Sequence, residues 1–346
     1  MEEKKTQILE EKKLRQLNIL YKTESSEILL CEKIKTGKKL CIKAIQSEKS
    51  DTPRNNSIQT EIKLLEELKN IKNIVHIYEH EIIPYSTHNF YFIFMEYCSY
   101  GTLYNYISSA KEHVLDDKKI YDFIYQIALG LKAIHDMGYY HRDLRPENIL
   151  LRNENEIAIC DFGSATKEKY DSEKLKRLHY TNSIKDLLMD ISSKTNIIYR
   201  APEQIYINLY QPITEKIDIF AYGIILVMLL LYYIPSSNFN FQTLLHSSEE
   251  IRYKIISGIK TLSNSVFTEL LDQIFSVNPD HRITITEIVT FLIALEIRLN
   301  QNQNTIKMEQ KLKFTETFNE ALNEFEKLDM DNHKYSMIIL ARRVIF

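Results

Sequence analysis

The sequence predicts an α+β chain of two lobes, a small, mostly β lobe before residue 96 and a larger, mostly α lobe after it. Three observations carry that reading. Ile28–Leu30 and Leu40–Ile45 alternate with the two-residue period of half-buried strands, joined by a turn at Thr36-Gly37. From Leu103 onward the apolar spacing is mainly helical. A chain of 346 residues is long enough for two lobes that share an extended core.

Taken in order, residues 2–15 are charge-rich and helix-prone, which reads as a solvated helix or a frayed end. After the two strands, Ile58 to Leu68 has helical spacing, with Ile62, Leu65 and Leu68 on one face. Phe90 to Met95 is a short hydrophobic strand, and Glu96 to Gly101 reads as a connector. Sixteen residues from Ile219 to Ile234 carry no formal charge. A spanning helix needs about 20 apolar residues, so this run, with Asp218, Gly223 and Pro235 around it, reads as a buried helix. In the tail, Phe318, Leu322, Phe325 and Leu328 recur at helical spacing, which suits a helix packed back on the large lobe or one that docks a partner. The expected division is a charged extension at 1–15, the small lobe at 16–95, a hinge at 96–101, the large lobe at 102–300 and a helical tail at 301–346.

Bulk properties narrow the function classes. A net charge of −3 and a pI near 6.4 give no electrostatic footprint for nucleic acid. Glu2, Glu3, Lys4 and Lys5 precede no apolar stretch, so no secretory signal is expected, and the location expected is cytoplasmic, at most peripheral to the plasma membrane through partners. Cys31, Cys41, Cys98 and Cys160 show no metal-like spacing and read as reduced core thiols. His135 and His281 have no second ligand near them in sequence and read as structural, so no zinc site is expected.

Three motifs stand in register. H-R-D-L-R-P-E-N spans His141 to Asn148, D-F-G spans Asp161 to Gly163, and A-P-E spans Ala201 to Glu203. Asp161 lies eighteen positions after Asp143, and Asn148 five after it. One such motif can arise by chance; three in order hardly can. On these residues the chain resembles a protein kinase over residues 16 to 300, and the resemblance implies the two-lobed kinase fold with ATP and Mg2+ as cofactors. D-I-F-A-Y-G at Asp218 to Gly223 is similar to the family's D-x-W-x-x-G opening of a buried helix, with Phe220 in place of Trp.

The resemblance assigns roles residue by residue. Lys43, six residues past Gly37, stands where the ATP-binding lysine belongs, and Glu61, eighteen residues later on a helix, is its expected partner. Asp143 is the expected base for the attacking hydroxyl. Asn148 and Asp161 supply hard oxygen ligands suited to magnesium. Arg145 stands where Ser/Thr kinases carry lysine, its cation available to the γ-phosphate as a planar fork rather than a point charge. Met95 matches the gatekeeper, and Glu96 and Cys98 offer backbone groups to adenine. His141 and Phe162 read as packed core. Glu203 and Arg282 read as the buried ion pair that fixes the end of the activation segment.

Two features depart from the pattern. Counting back from Lys43, the nucleotide loop covers Tyr21 to Ile28, Y-K-T-E-S-S-E-I, and holds no glycine; the whole chain has only 7. Glycine there lets backbone N–H groups approach phosphate closely. At about 8 Å, the Glu24 charge opposes one phosphate charge by roughly 0.5 to 2 kcal/mol. Asn196 stands where the substrate-facing loop of Ser/Thr kinases has threonine.

Finer motifs point within the family. C-D-F-G-S-A-T at Cys160 to Thr166, Y-R-A-P-E at Tyr199 to Glu203 and the following I-N-L-Y-Q-P-I-T-E-K-I-D-I-F resemble the Numb-associated kinases. That resemblance implies an extra helix within Gln204 to Tyr210, and Ser/Thr acceptors in protein substrates such as clathrin adaptors or cortical-actin proteins. The activation segment, Asp161 to Glu203, runs 43 residues. Ser172, Thr181, Ser183, Ser192, Ser193 and Thr195 are its candidate phosphate acceptors, with Arg142 placed to pair with a phosphate and order the loop. Two other readings stay open: a catalytically weak kinase-fold scaffold, and an active kinase outside the endocytic group.

Overall fold

The computed structural model describes residues 1–109, 117–205, 207–231, 267–276 and 278–301. Pro235 and the tail beyond Gln301, with its Phe318 to Leu328 stripe, lie outside the described residues.

The small lobe is a five-stranded antiparallel sheet in the order β1-β2-β3-β5-β4, formed by β1 (Leu14–Lys22), β2 (Ser26–Lys33), β3 (Lys39–Glu48), β4 (Ile77–Tyr85) and β5 (His88–Glu96). Helix α2 (Thr52–Glu67) connects β3 to β4. It starts six residues before the apolar stripe, because Asp51 caps it by accepting from the Arg54 amide and Pro53 fits its first turn. Ile58, Ile62 and Leu65 are buried on its inner face.

All six residues of β5 from Phe90 to Met95 are buried, which requires cover on both faces of the sheet. Tyr91, Ile93 and Met95 join the core that includes Ile58, Ile62 and Leu65 of α2. Phe90, Phe92 and Phe94 join a second core with Leu40, Ile42 and Ala44 of β3 and Ile8 of the N-terminal helix α1 (Glu2–Glu11). That corrects the expectation of a solvated end. Ile8 is buried, and Lys5 bonds Glu27 of β2 at 3.1 Å with both side chains out of solvent. Lys12 reaches across to Glu79 and Glu81 of β4.

The large lobe contains α3 (Leu103–Ser109), α4 (Asp117–Asp136), the hairpin of β6 (Ile149–Asn153) and β7 (Glu156–Ile159), α5 (Ser172–Tyr180), α6 (Ile184–Lys194), α7 (Pro202–Ile205), α8 (Lys216–Leu231), α9 (Thr268–Ile274) and α10 (Ile285–Gln301). Helix α4 packs against α8, α10 and β7. Helix α8 covers the described part of the uncharged run, and its residues from Ile217 to Leu230 are buried within protein. Among the described residues, no helix is long and apolar enough to cross a membrane. Gly223 lets α8 and α9 approach: a Cβ there would collide with Ile274 and meet the Phe275 ring at 3.0 Å. Phe220 packs edge-on against Phe275 with its ring beneath the Arg282 guanidinium, so the Trp-to-Phe change keeps an aromatic in the same core.

The expected ion pair is present. Arg282 donates to Glu203 at 2.7 and 3.0 Å, with both side chains fully buried. Among the described residues of Gln204 to Tyr210 the expected extra helix is not seen: α7 covers Pro202–Ile205, and Leu209-Tyr210 form a turn. Two helices, α5 and α6, lie upstream of the A-P-E motif, where apolar positions such as Leu187 and Ile191 are buried.

If α1 is part of the core, Ile8→Ala costs about 2 to 4 kcal/mol of stability. Urea unfolding measures this, and a solvated helix would show almost no change.

Candidate active site

The cleft side of β3 carries Lys43, whose register partners are Ile28 and Ile93. Its Nζ donates to Glu61 Oε1 at 2.6 Å and to Asp161 Oδ1 at 2.9 Å. Three separate elements therefore meet at one ammonium: β3, α2 and the segment after β7. Burial alone would lower the pKa of Lys43, but the carboxylates of Asp161 and Glu61 outweigh it and hold the lysine charged. Burial raises that of Glu61, with Lys43 pulling it back. Lys43 lowers the pKa of Asp161 to about 2, and the Asp161 side chain remains half exposed to the cleft.

Asp161 has a left-handed backbone, φ 64, and Ser57 of α2 bonds the Gly163 carbonyl just beyond it. The α2 helix thus holds the D-F-G turn at two points, Glu61 through Lys43 and Ser57 directly. Phe162 is fully buried against the His141 ring at 5.4 Å, and His141 Nε2 lies 3.1 Å from the Cys160 carbonyl.

The loop bearing Asp143 is held from below by Asp218 at the start of α8. Asp218 accepts from the backbone amides of His141 at 2.6 Å and Arg142 at 2.9 Å, and lies 2.9 Å from His135 Nε2. These bonds stabilise the left-handed Arg142, φ 67, which turns the next residue toward the cleft. His135 is therefore structural, as its sequence context implied. Asn148 Nδ2 donates to the Asp143 carbonyl at 2.8 Å and to its carboxylate at 3.0 Å. The amide of Asn196 points at the other carboxylate oxygen from 3.3 Å, so the residue replacing threonine contributes its backbone here. Its side chain is spent capping Ile198. Burial raises the pKa of Asp143, with His141 and Arg145 opposing the rise.

Arg145 is placed differently from the expectation. Its guanidinium forks onto Glu147, 2.9 and 2.7 Å, rather than standing as a free cation. Asp161 and Asn148 fit magnesium: one carboxylate open to the cleft and one amide oxygen, Oδ1, whose Nδ2 partner is fixed on Asp143.

The nucleotide loop is a hairpin with a turn at Thr23-Glu24-Ser25. The Thr23 amide donates to the Ser26 carbonyl at 2.8 Å, and the Ser26 amide to the Thr23 hydroxyl at 3.1 Å. The Thr23 and Ser26 amides are thus engaged within the turn. Ser25 is anchored as well, accepting from Arg54 of α2 at 2.6 Å through its hydroxyl and from the Gln46 amide through its carbonyl.

At the hinge, Met95 is buried at the end of β5. The Glu96 amide donates to His76, and its carboxylate takes Arg152 of β6 at 2.5 and 2.8 Å. The sequence reading missed this lobe-to-lobe tie, which joins residues 56 apart with no local signature. Cys98 is buried and its thiol is pushed up to about 12; burial also raises Cys160 well above the usual thiol range, so neither is a reactive thiolate.

Residues 16–291 match the protein kinase domain family, about four-fifths of the chain. The chain belongs to the protein kinase domain family. It is 29% identical over 303 residues to a probable serine/threonine-protein kinase of Dictyostelium discoideum, covering 86% of this chain and 25% of that protein. Against the maternal embryonic leucine zipper kinase of Xenopus tropicalis it is 29% identical over 269 residues, 77% of this chain and 36% of that protein. Against actin-regulating kinase 1 of Saccharomyces cerevisiae it is 31% identical over 190 residues, 54% and 29% of the two chains. The matched stretch of the chain thus spans a quarter to roughly a third of these relatives' own length.

The lowered pKa of Asp161 gives a signed prediction. Its ionised form stabilises the fold above its ordinary value of 3.8, and that contribution is lost as pH falls toward about 2. Thermal unfolding of wild type should therefore steepen between these values, and Lys43→Met should flatten that part of the curve.

Proposed function

We propose that the chain is an ATP- and magnesium-dependent protein serine/threonine kinase. The observation that carries this is the Lys43 ammonium held between Glu61 and Asp161, with the Asp143–Asn148 pair on the loop beside them. Phosphoryl transfer needs alignment and charge neutralisation more than covalent help from the protein. When bound, ATP would supply the transferable phosphoryl group and Mg2+ would offset its charge. Lys43 is preset to meet the α and β phosphates, and Glu61 keeps it from collapsing wholly onto Asp161. Asp161 and Asn148 would hold the metal through oxygen. Asp143 receives the proton of the acceptor hydroxyl, and its raised pKa makes it a better base than an ordinary carboxylate. Glu96 and Cys98 border the adenine end at the hinge.

A catalytically weak scaffold is favoured by one observation, the glycine-free hairpin with its Thr23 and Ser26 amides already bonded. The Arg145–Glu147 fork also reduces the cation available to the γ-phosphate. We place clathrin-adaptor or cortical-actin proteins as the first substrates to try, on the C-D-F-G-S-A-T and Y-R-A-P-E motifs and the likeness to actin-regulating kinase 1. A cytoplasmic location goes with such substrates.

Phosphotransfer with magnesium and ATP, wild type against Asp143→Ala, tests the reading. Loss of about a hundredfold or more in the variant is expected for removal of the base. Equal rates in the two would leave the scaffold. For wild type, activity should fall as pH drops through the Asp143 pKa, which puts the acid limb above the ordinary 3.8 of an aspartate.

A further inference from the structure

The activation segment is tied down by an acid of its own. Arg142, the residue before the catalytic base, is nearly buried, its side chain 11% exposed. Its Nε donates to the Ser164 carbonyl at 2.6 Å, and its Nη1 to Asp190 Oδ2 on α6 at 2.8 Å. Ser164 in turn donates its hydroxyl proton to the Lys194 carbonyl at the end of α6, 2.8 Å away. The start of the segment, the catalytic loop and α6 are thus closed into one ring of hydrogen bonds. Leu187 and Ile191, on either side of Asp190 in the helix, are buried, which fixes the face on which the carboxylate sits.

A buried guanidinium beside the catalytic loop needs a counter-charge. In segments ordered by modification a phosphate supplies it. Here a carboxylate already does. Two of the candidate hydroxyls that follow Asp190 do not offer an equivalent. Thr195 is buried, donates to the Ile191 carbonyl and accepts from Arg200. Ser193 donates to the Asp190 carbonyl from the exposed side of α6, and a dianion placed there would sit beside Asp190 rather than replace it.

We infer that Asp190 is a positioning residue that stands in for an activation-segment phosphate, so that the segment is ordered and the enzyme competent without modification. The competence half rests on the kinase reading above; the ordering half does not. Asp190 acts through Arg142 and the loop geometry of Asp143, not by touching substrate.

The test uses the full chain treated with a broad-specificity protein phosphatase, with mass spectrometry confirming that residues 164–200 carry no phosphate. Hydrogen exchange over residues 184–194 is read in wild type, Asp190→Asn and Asp190→Glu, each also in the Asp143→Ala chain, which cannot phosphorylate itself. Protection should be high in unmodified wild type, fall in Asp190→Asn and return in Asp190→Glu, with unchanged melting of the whole protein showing that the variants fold. Phosphotransfer should persist in the dephosphorylated wild type. Its kcat should drop about tenfold or more in Asp190→Asn, as expected for loss of one charge-assisted bond, while KM for ATP holds. An Asp190→Asn chain with wild-type exchange overturns the proposal. So does a wild type whose exchange or rate is lost on dephosphorylation and restored by phosphate. A wild type inactive in every modification state removes the kinase reading instead, and exchange alone then decides the ordering.

Discussion

The site depends on one buried cation. Lys43 is reached by two carboxylates from separate elements, α2 and the segment after β7. Removing the lysine would leave the almost wholly buried Glu61 carboxylate without its cation, the costly kind of unpaired charge. The position of α2 against the sheet, the conformation of the D-F-G turn and the charge at the phosphate end of the cleft are therefore one variable. Ser57 reinforces the coupling by holding the Gly163 carbonyl from the same helix. A displaced α2 would release the lysine and the turn together.

The large lobe uses the same device at two further points. Asp218 lies almost wholly buried beneath the catalytic loop and is satisfied by two backbone amides and His135. Arg282 and Glu203 are fully buried, and Arg282 also donates to the carbonyls of Ser276 and Lys216. Neither arrangement is an efficient source of stability, since buried charge must be desolvated to form it. What each provides is a geometry that cannot be half made. The loop bearing Asp143 and the end of the activation segment inherit it.

Legibility in the sequence followed burial and locality. β2, β3, β5 and the inner face of α2 were readable because half-buried elements write their period into the chain. The site residues were readable because their motifs are local, and Lys43, Glu61 and Asp161 do converge. β1 and β4 were not foreseen. Both are edge strands with Leu17, Ile19, Leu20, Tyr78 and Ile82 exposed, so neither alternates cleanly. The α1 cover was hidden by its charges, although the unbroken apolar run from Phe90 to Met95 already required a second covered face. Glu96–Arg152 and Arg142–Asp190 join residues far apart in sequence, and single-residue patterns carry no trace of such pairs.

The glycine-free hairpin shows how a lost local freedom can be offset at longer range. A glycine-rich loop presents its amides to phosphate because its backbone is free to approach closely. Here the turn satisfies its own Thr23 and Ser26 amides, while Arg54 fastens Ser25 to the first turn of α2. The α1 helix adds Lys5 to Glu27, which also takes Lys22 across the hairpin. Such a hairpin loses less entropy on meeting a nucleotide than a mobile one, but it offers fewer donors when it does. On the proposed function, the work of holding phosphate would shift from the backbone of the small lobe to Lys43 and the oxygen ligands of the large lobe. The geometry of that lysine is already set by two carboxylates, whereas the loop above it is closed on its own amides.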